Sequence, residues 1–188
     1  MESQKKARIH LRVLLLMSFF VALSIVFGKF LAFNLGDMLR ISFENLPILL
    51  AGAFLGPLYG AAVGVVADLL GCILVGYAIN PIITVGAAAI GIISGVIAYL
   101  TRRLPLSLRV LLTVFIAHLC GSVLIKTAGL AAFYGTSYPV LLLWRALNYL
   151  LVGTAEGVLL YVLTKSTVKD ALERMLGRAG AGKDKTQK

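Results

Sequence analysis

Long unbroken apolar runs, separated by short polar or Gly/Pro breaks, set the pattern of this chain. The runs cover about residues 11–33, 43–55, 59–75, 81–100, 108–130 and 140–164. Apolar and polar positions do not alternate, as they would in the strands of a membrane barrel. Continuous runs of this kind predict helices buried in an apolar medium, and a full crossing takes about 20 residues. The second run is short for that. Gly56-Pro57 is a turn signal that divides it from the third, and Pro47 either starts or kinks its helix.

Composition turns the pattern into a class. The 188 residues are 60% hydrophobic and 14% charged, with a mean hydropathy of +0.95. Soluble domains average about 45–50% apolar and about 25% charged, so a bilayer is the solvent that accommodates this chain. Backbone polar groups in lipid must be satisfied within the span, which favours helices. The predicted fold is an all-α integral membrane bundle of six transmembrane helices. Residues 1–10 form an N-terminal segment, 11–164 the six-helix domain, and 165–188 a basic, partly disordered tail. Within the tail, Val168, Leu172 and Met175 have helical spacing suited to a membrane surface.

The net charge of +10 is a topology signal. Fourteen of the 18 Lys and Arg lie at the N-terminal end up to Arg12, around the connection between the fourth and fifth runs (Arg102, Arg103 and Arg109), and in the tail. Six crossings put all three on one side, so both termini are expected in the cytoplasm. A nucleic-acid partner is not expected. A signal peptide is disfavoured because the first run is too long and lacks a cleavage pattern. Cys72 and Cys120 imply no disulfide framework.

Four basic and four acidic residues remain: Lys29, Arg40, Lys126 and Arg145, with Asp37, Glu44, Asp68 and Glu156. Ionisable groups inside a membrane are costly and usually face a bundle interior or cavity. Structural ion pairing, for instance Asp68 with Arg145, is the plainer account of any one of them, and Asp37 and Glu44 lie near loop ends where water can solvate them. Yet Arg40, Asn45, Asp68, Asn80, Lys126, Arg145 and Asn148 fall at similar depth on several elements. A polar, ligand-sized cavity near the outer face is therefore expected. For an anionic ligand, Arg40, Lys126 and Arg145 are the candidates for its carboxylates. Trp144 and Asn148 are four apart on one helix face, with Arg145 one step round. That set would suit a flat heterocycle, although an interfacial aromatic belt with Tyr138 and Tyr149 explains Trp144 as well.

Small residues recur at helix-packing intervals: Ser18 with Ala22; Gly56, Gly60 and Gly64; and Gly86, Gly91 and Gly95. Packing within the monomer is their default role. Catalytic signatures are lacking. There is no GxxxxGK[ST] phosphate loop, and no clustered set of metal ligands accompanies His10 and His118. Ser94 with His118 lacks the glycine context of a serine nucleophile. Neither a metal nor a catalytic residue is expected.

The stretch from Arg40 to Asp68 (RISFENLPILLAGAFLGPLYGAAVGVVAD), continuing through Gly71 to Gly76-Tyr-Ala-Ile-Asn-Pro81, resembles the substrate-binding S components of energy-coupling factor (ECF) vitamin transporters. The likeness is greatest to the folate-specific (FolT) branch. It implies a non-enzymatic, multi-pass subunit of an ABC importer in a prokaryotic plasma membrane. It also implies a bound vitamin, folate first and another vitamin as the alternative, with no cofactor. The partners implied are an ECF scaffold transmembrane protein and two ATPase subunits, and the S component reorients against them to deliver its cargo. A small membrane enzyme or structural subunit stays the reading from another class. In the family a small-xxx-small motif on the first helix docks onto the scaffold, which maps to Ser18 and Ala22. The outer connections cap the ligand, which places Arg40, Ser42, Asn45, Tyr77 and Asn80 in the lining. Asp68, Lys126, Trp144, Arg145 and Asn148 rest on depth and chemistry instead.

Overall fold

A computed structural model describes residues 2–35 and 39–166, with side chains described for residues 11–33 and 41–166. Asp37, the side chains of Asn34 and Arg40, and the tail helix expected around Val168, Leu172 and Met175 lie outside the described residues.

In chain order the elements are α1 (Glu2–Ile25), continued by a π-helical segment (Val26–Phe30), then β1 (Phe33–Leu35) and β2 (Leu39–Ile41). Next come α2 (Asn45–Leu55), α3 (Pro57–Val75) and α4 (Pro81–Leu100). The chain then runs through α5 (Leu106–Ala117), a second π-helical segment (His118–Ile125), α6 (Lys126–Tyr134) and α7 (Tyr138–Lys165). Among the described residues, five stretches are long and apolar enough to cross a membrane: Leu11–Phe30, Pro57–Val75, Pro81–Leu100, Leu106–Tyr134 and Tyr138–Lys165.

Two features depart from the expected six plain spans. The second run forms only the 11-residue α2, about 16 Å long at 1.5 Å per residue. That is roughly half the hydrocarbon thickness. Instead of facing lipid, α2 is wedged between α1, α3 and α4, with Asn45 through Gly52 buried. Pro47 falls in its first turn, where no backbone hydrogen bond is lost. The connection before α2 is a small antiparallel hairpin, with Asn34 opposite Arg40. Its second strand packs against α7.

Turn chemistry sets the ends of α3 and α4. Gly56 adopts φ +111°, which an L side chain resists, and Pro57 then opens α3 with its φ already helical. Gly76 closes α3 in the left-handed region at φ 73°. Asn80 caps α4, its Oδ1 accepting from Ile82 N at 3.0 Å.

The glycines pack α2, α3 and α4 backbone to backbone. A Cβ on Gly60 would lie 2.6 Å from Gly52 Cα and 2.7 Å from Gly91 O. One on Gly95 would lie 2.6 Å from Pro57 N, and one on Gly64 would strike the Ala87 carbonyl. The expected default role, packing within the monomer, describes Gly60, Gly64, Gly91 and Gly95. Ser94 belongs to the same seam: it is fully buried and donates to Gly91 O at 3.0 Å. Ser18 and Ala22 differ, being exposed on α1.

Candidate functional site

The polar side chains gather toward the bundle end that carries the hairpin, the 76–80 connection and the 135–137 connection. Both π-helical segments border this region. A π turn inserts an extra residue and re-aims the side chains after it, and such turns are frequent at functional sites.

Lys126 is the centre of the cluster. It opens α6 directly after the second π segment and is 5% exposed. Its Nζ donates to Asn45 Oδ1 at 3.2 Å and lies 3.4 Å from Glu44 Oε1. Gly86 of α4 leaves room for the lysine stem, since a Cβ there would sit 2.6 Å from Lys126 Cγ. Glycine serves the same purpose twice more. Gly28 lets Glu44 approach α1, and Gly71 accommodates the stem of Lys29, each at 2.8 Å from the position of an added Cβ. Ser24 Oγ donates to the Glu44 carbonyl at 2.6 Å, tying α1 to the start of α2. Lys29 lies over the Tyr77 ring, 5.4 Å from its centroid.

Asp68 and Arg145 take separate partners, so the ion pair considered from the sequence is not the one adopted. Asp68 Oδ2 accepts from Thr84 Oγ1 at 2.6 Å. Arg145 Nη2 donates to Ser122 O at 3.1 Å and reaches Tyr149 OH at 3.5 Å. The packing explains this: glycine contacts press α3 onto α4, whereas α7 lies against α5, the second π segment and α6.

The remaining expected site residues fall as follows. Ser42, Asn45, Asn80 and Asn148 are buried, Tyr77 is 56% exposed, and Trp144 is 39% exposed. Asn80 has a visible structural task, because its Nδ2 donates to Gly129 O at 2.8 Å while its Oδ1 caps α4. Arg40 is described by its backbone in β2 alone.

Sequence reasoning passed over several members. Glu44, assigned to loop solvation, is the ion-pair partner of Lys126. Thr84 and Ser122 gave no signal. His118 and Glu156 form a second buried pair, with Nε2 2.6 Å from Oε2. His118 Nδ1 lies 3.1 Å from Ser122 Oγ, so Ser94 is not its partner. Depth could have found this pair. Counted from the ends of α5 and α7 that carry the basic residues, His118 and Glu156 lie about 18 and 14 Å in, at 1.5 Å per residue. A cavity of about 490 Å³ lies beside them between α5 and α7, lined by Val114, Phe115, Tyr149, Gly153 and Gly157 among others. It is largely apolar.

Chemically, the cluster can bind. Asn45 Nδ2, Arg145 Nε and Thr127 Oγ1 are buried without a hydrogen-bond partner. A buried polar atom left unpaired costs about 1–3 kcal/mol, so such atoms call for an explanation. All three can donate. With Lys126 among them, the region favours a ligand rich in acceptors and negative charge.

The chain is 29% identical over 164 residues to the folate transporter FolT of Clostridium novyi (strain NT), covering 87% of this chain and 92% of that one. Its fold resembles the crystal structure of FolT bound with folic acid, with a TM-score of 0.68 at 23% identity over 81% of this chain and 91% of that chain. The model of the family "ECF transporter, substrate-specific component" matches residues 12–176, and the chain therefore belongs to the substrate-specific components of ECF transporters.

Proposed function

We propose that this chain is the folate-binding S component of an ECF-type ABC importer in a prokaryotic plasma membrane. It captures the vitamin at the hairpin end of the bundle, with the short α2 and the hairpin before it together making the second of six crossings, and both termini in the cytoplasm. The observation that carries the reading is the set of unpaired donors around Lys126: Asn45 Nδ2, Thr127 Oγ1 and Arg145 Nε. Folate offers what they lack, two carboxylates on its glutamate tail and an acceptor-rich pterin. Lys126 and Arg145 take the carboxylates. Asp68 accepts from the pterin N–H edge, which donates where a carboxylate accepts. Arg40, Ser42, Tyr77, Trp144 and Asn148 complete the lining, while Asn80 shapes the site by holding α4 to α6. A folate transporter as relative supports this cargo over other anionic vitamins.

Delivery requires a scaffold protein and two ATPases. The exposed face of α1 around Ser18 and Ala22 suits the scaffold contact, because small residues let a partner helix approach closely. Thermal unfolding of the purified protein with a panel of vitamins tests the cargo. Folate is expected to raise the midpoint most, since a ligand at 100 times its Kd adds about 2.7 kcal/mol. A midpoint unmoved by saturating folate would refute the assignment.

A further inference from the structure

His118 and Glu156 are 3% and 0% exposed within stretches long and apolar enough to cross a membrane. Glu156 Oε1 has no hydrogen-bond partner. Apolar residues of similar volume would pack this interior at lower desolvation cost. The pair is instead one end of a continuous chain of contacts. Glu156 Oε2 holds His118 Nε2 at 2.6 Å. With the imidazole proton on that nitrogen, Nδ1 is left to accept from the Ser122 hydroxyl at 3.1 Å. The His118 ring stacks on Tyr149, with centroids 5.0 Å apart and planes 28° apart. Arg145 then meets both of those neighbours: Nη2 donates to the Ser122 carbonyl at 3.1 Å, and its guanidinium carbon lies 5.3 Å from the Tyr149 ring centroid. The Ser122 carbonyl and the Tyr149 hydroxyl thus hold Nη2, and the Tyr149 ring is in turn seated on His118. Nε of the same guanidinium is buried and unpaired.

We infer that Glu156 and His118 are positioning residues that act through Tyr149 to aim Nε of Arg145 at a carboxylate of the glutamate tail. This rests on the folate reading above. The pair would touch no part of the vitamin, yet set the preference for a carboxylate-bearing tail. Guanidinium–carboxylate pairing depends strongly on geometry, so a small rotation of Arg145 is enough to weaken it.

Folic acid and pteroic acid, which lacks the glutamate, separate this role from plain stability. Equilibrium binding of both is measured on wild type, Glu156→Gln, Arg145→Gln and the double variant. Glu156→Gln should weaken folate about tenfold, change pteroate less than twofold, and add nothing in the Arg145→Gln background. Equal losses for the two ligands, additive losses in the double variant, or no loss for folate would each overturn the inference. If Glu156→Gln fails to fold, Tyr149→Phe carries the same comparison, since it keeps the ring on His118 and removes the hydroxyl that Arg145 meets. Wild type binding neither ligand would strike down the folate reading itself.

Discussion

The two halves of the bundle are held together by opposite means. In α2, α3 and α4 the helices touch through bare backbone, with Gly52, Gly60, Gly91 and Gly95 in one seam. Between the second π segment and α7 the contacts include polar ones, His118 with Glu156 and Arg145 with the Ser122 carbonyl, beside a cavity of about 490 Å³. Association inside lipid gains little from hydrophobicity, so close packing and interhelical polar contacts must provide it. The first half uses packing and becomes a platform with no room for change. The second uses hydrogen bonds, which can exchange partners, and Lys126 stands where the two halves meet.

Substitutions should expose that contrast. Gly91→Val should have the largest effect, because its Cβ would collide with the Gly60 backbone and no flexible side chain can yield. A loss of about 3 kcal/mol or more is expected, read as loss of the monodisperse folded peak after detergent extraction. Glu156→Ala comes next. Removing one partner of a buried pair typically costs about 3–5 kcal/mol, but the adjoining cavity can admit lipid or water, so the loss of thermal stability should be smaller than for Gly91→Val. Lys126→Met should act on function more than on fold, lowering folate affinity about a hundredfold, while the ligand-free midpoint shifts less than in Glu156→Ala. The smallest effect is expected at Gly157, where an added Cβ meets nothing within 4 Å. Gly157→Ala should be neutral or raise stability by up to about 1 kcal/mol through helix propensity. If Gly157→Ala proved as damaging as Gly91→Val, the two halves would not differ in the way described.

What could be read from the sequence follows the same divide. The fourth run matches α4 at Pro81–Leu100, because a capping Asn, a helix-starting Pro and an unbroken apolar stretch all act locally. The glycine seam was legible as spacing. The Lys126 site was legible as depth, since a charge in lipid has few places to go. The length of α2 was not, because a short helix surrounded by others is as apolar as a spanning one. Both π segments escaped notice, as nothing local marks them. Partner choice escaped as well: pairing Asp68 with Thr84 and Lys126 with Glu44 depends on which helices become neighbours. That is a property of the whole bundle rather than of any one run.

The most direct test of the central claim is equilibrium binding of folic acid to the purified chain without its partners, set against Lys126→Met and Arg145→Gln. Saturable one-to-one binding by wild type, weakened at least tenfold in each variant while both remain folded, is the predicted result. Wild-type binding that survives unchanged in both variants would place the vitamin elsewhere and contradict the account.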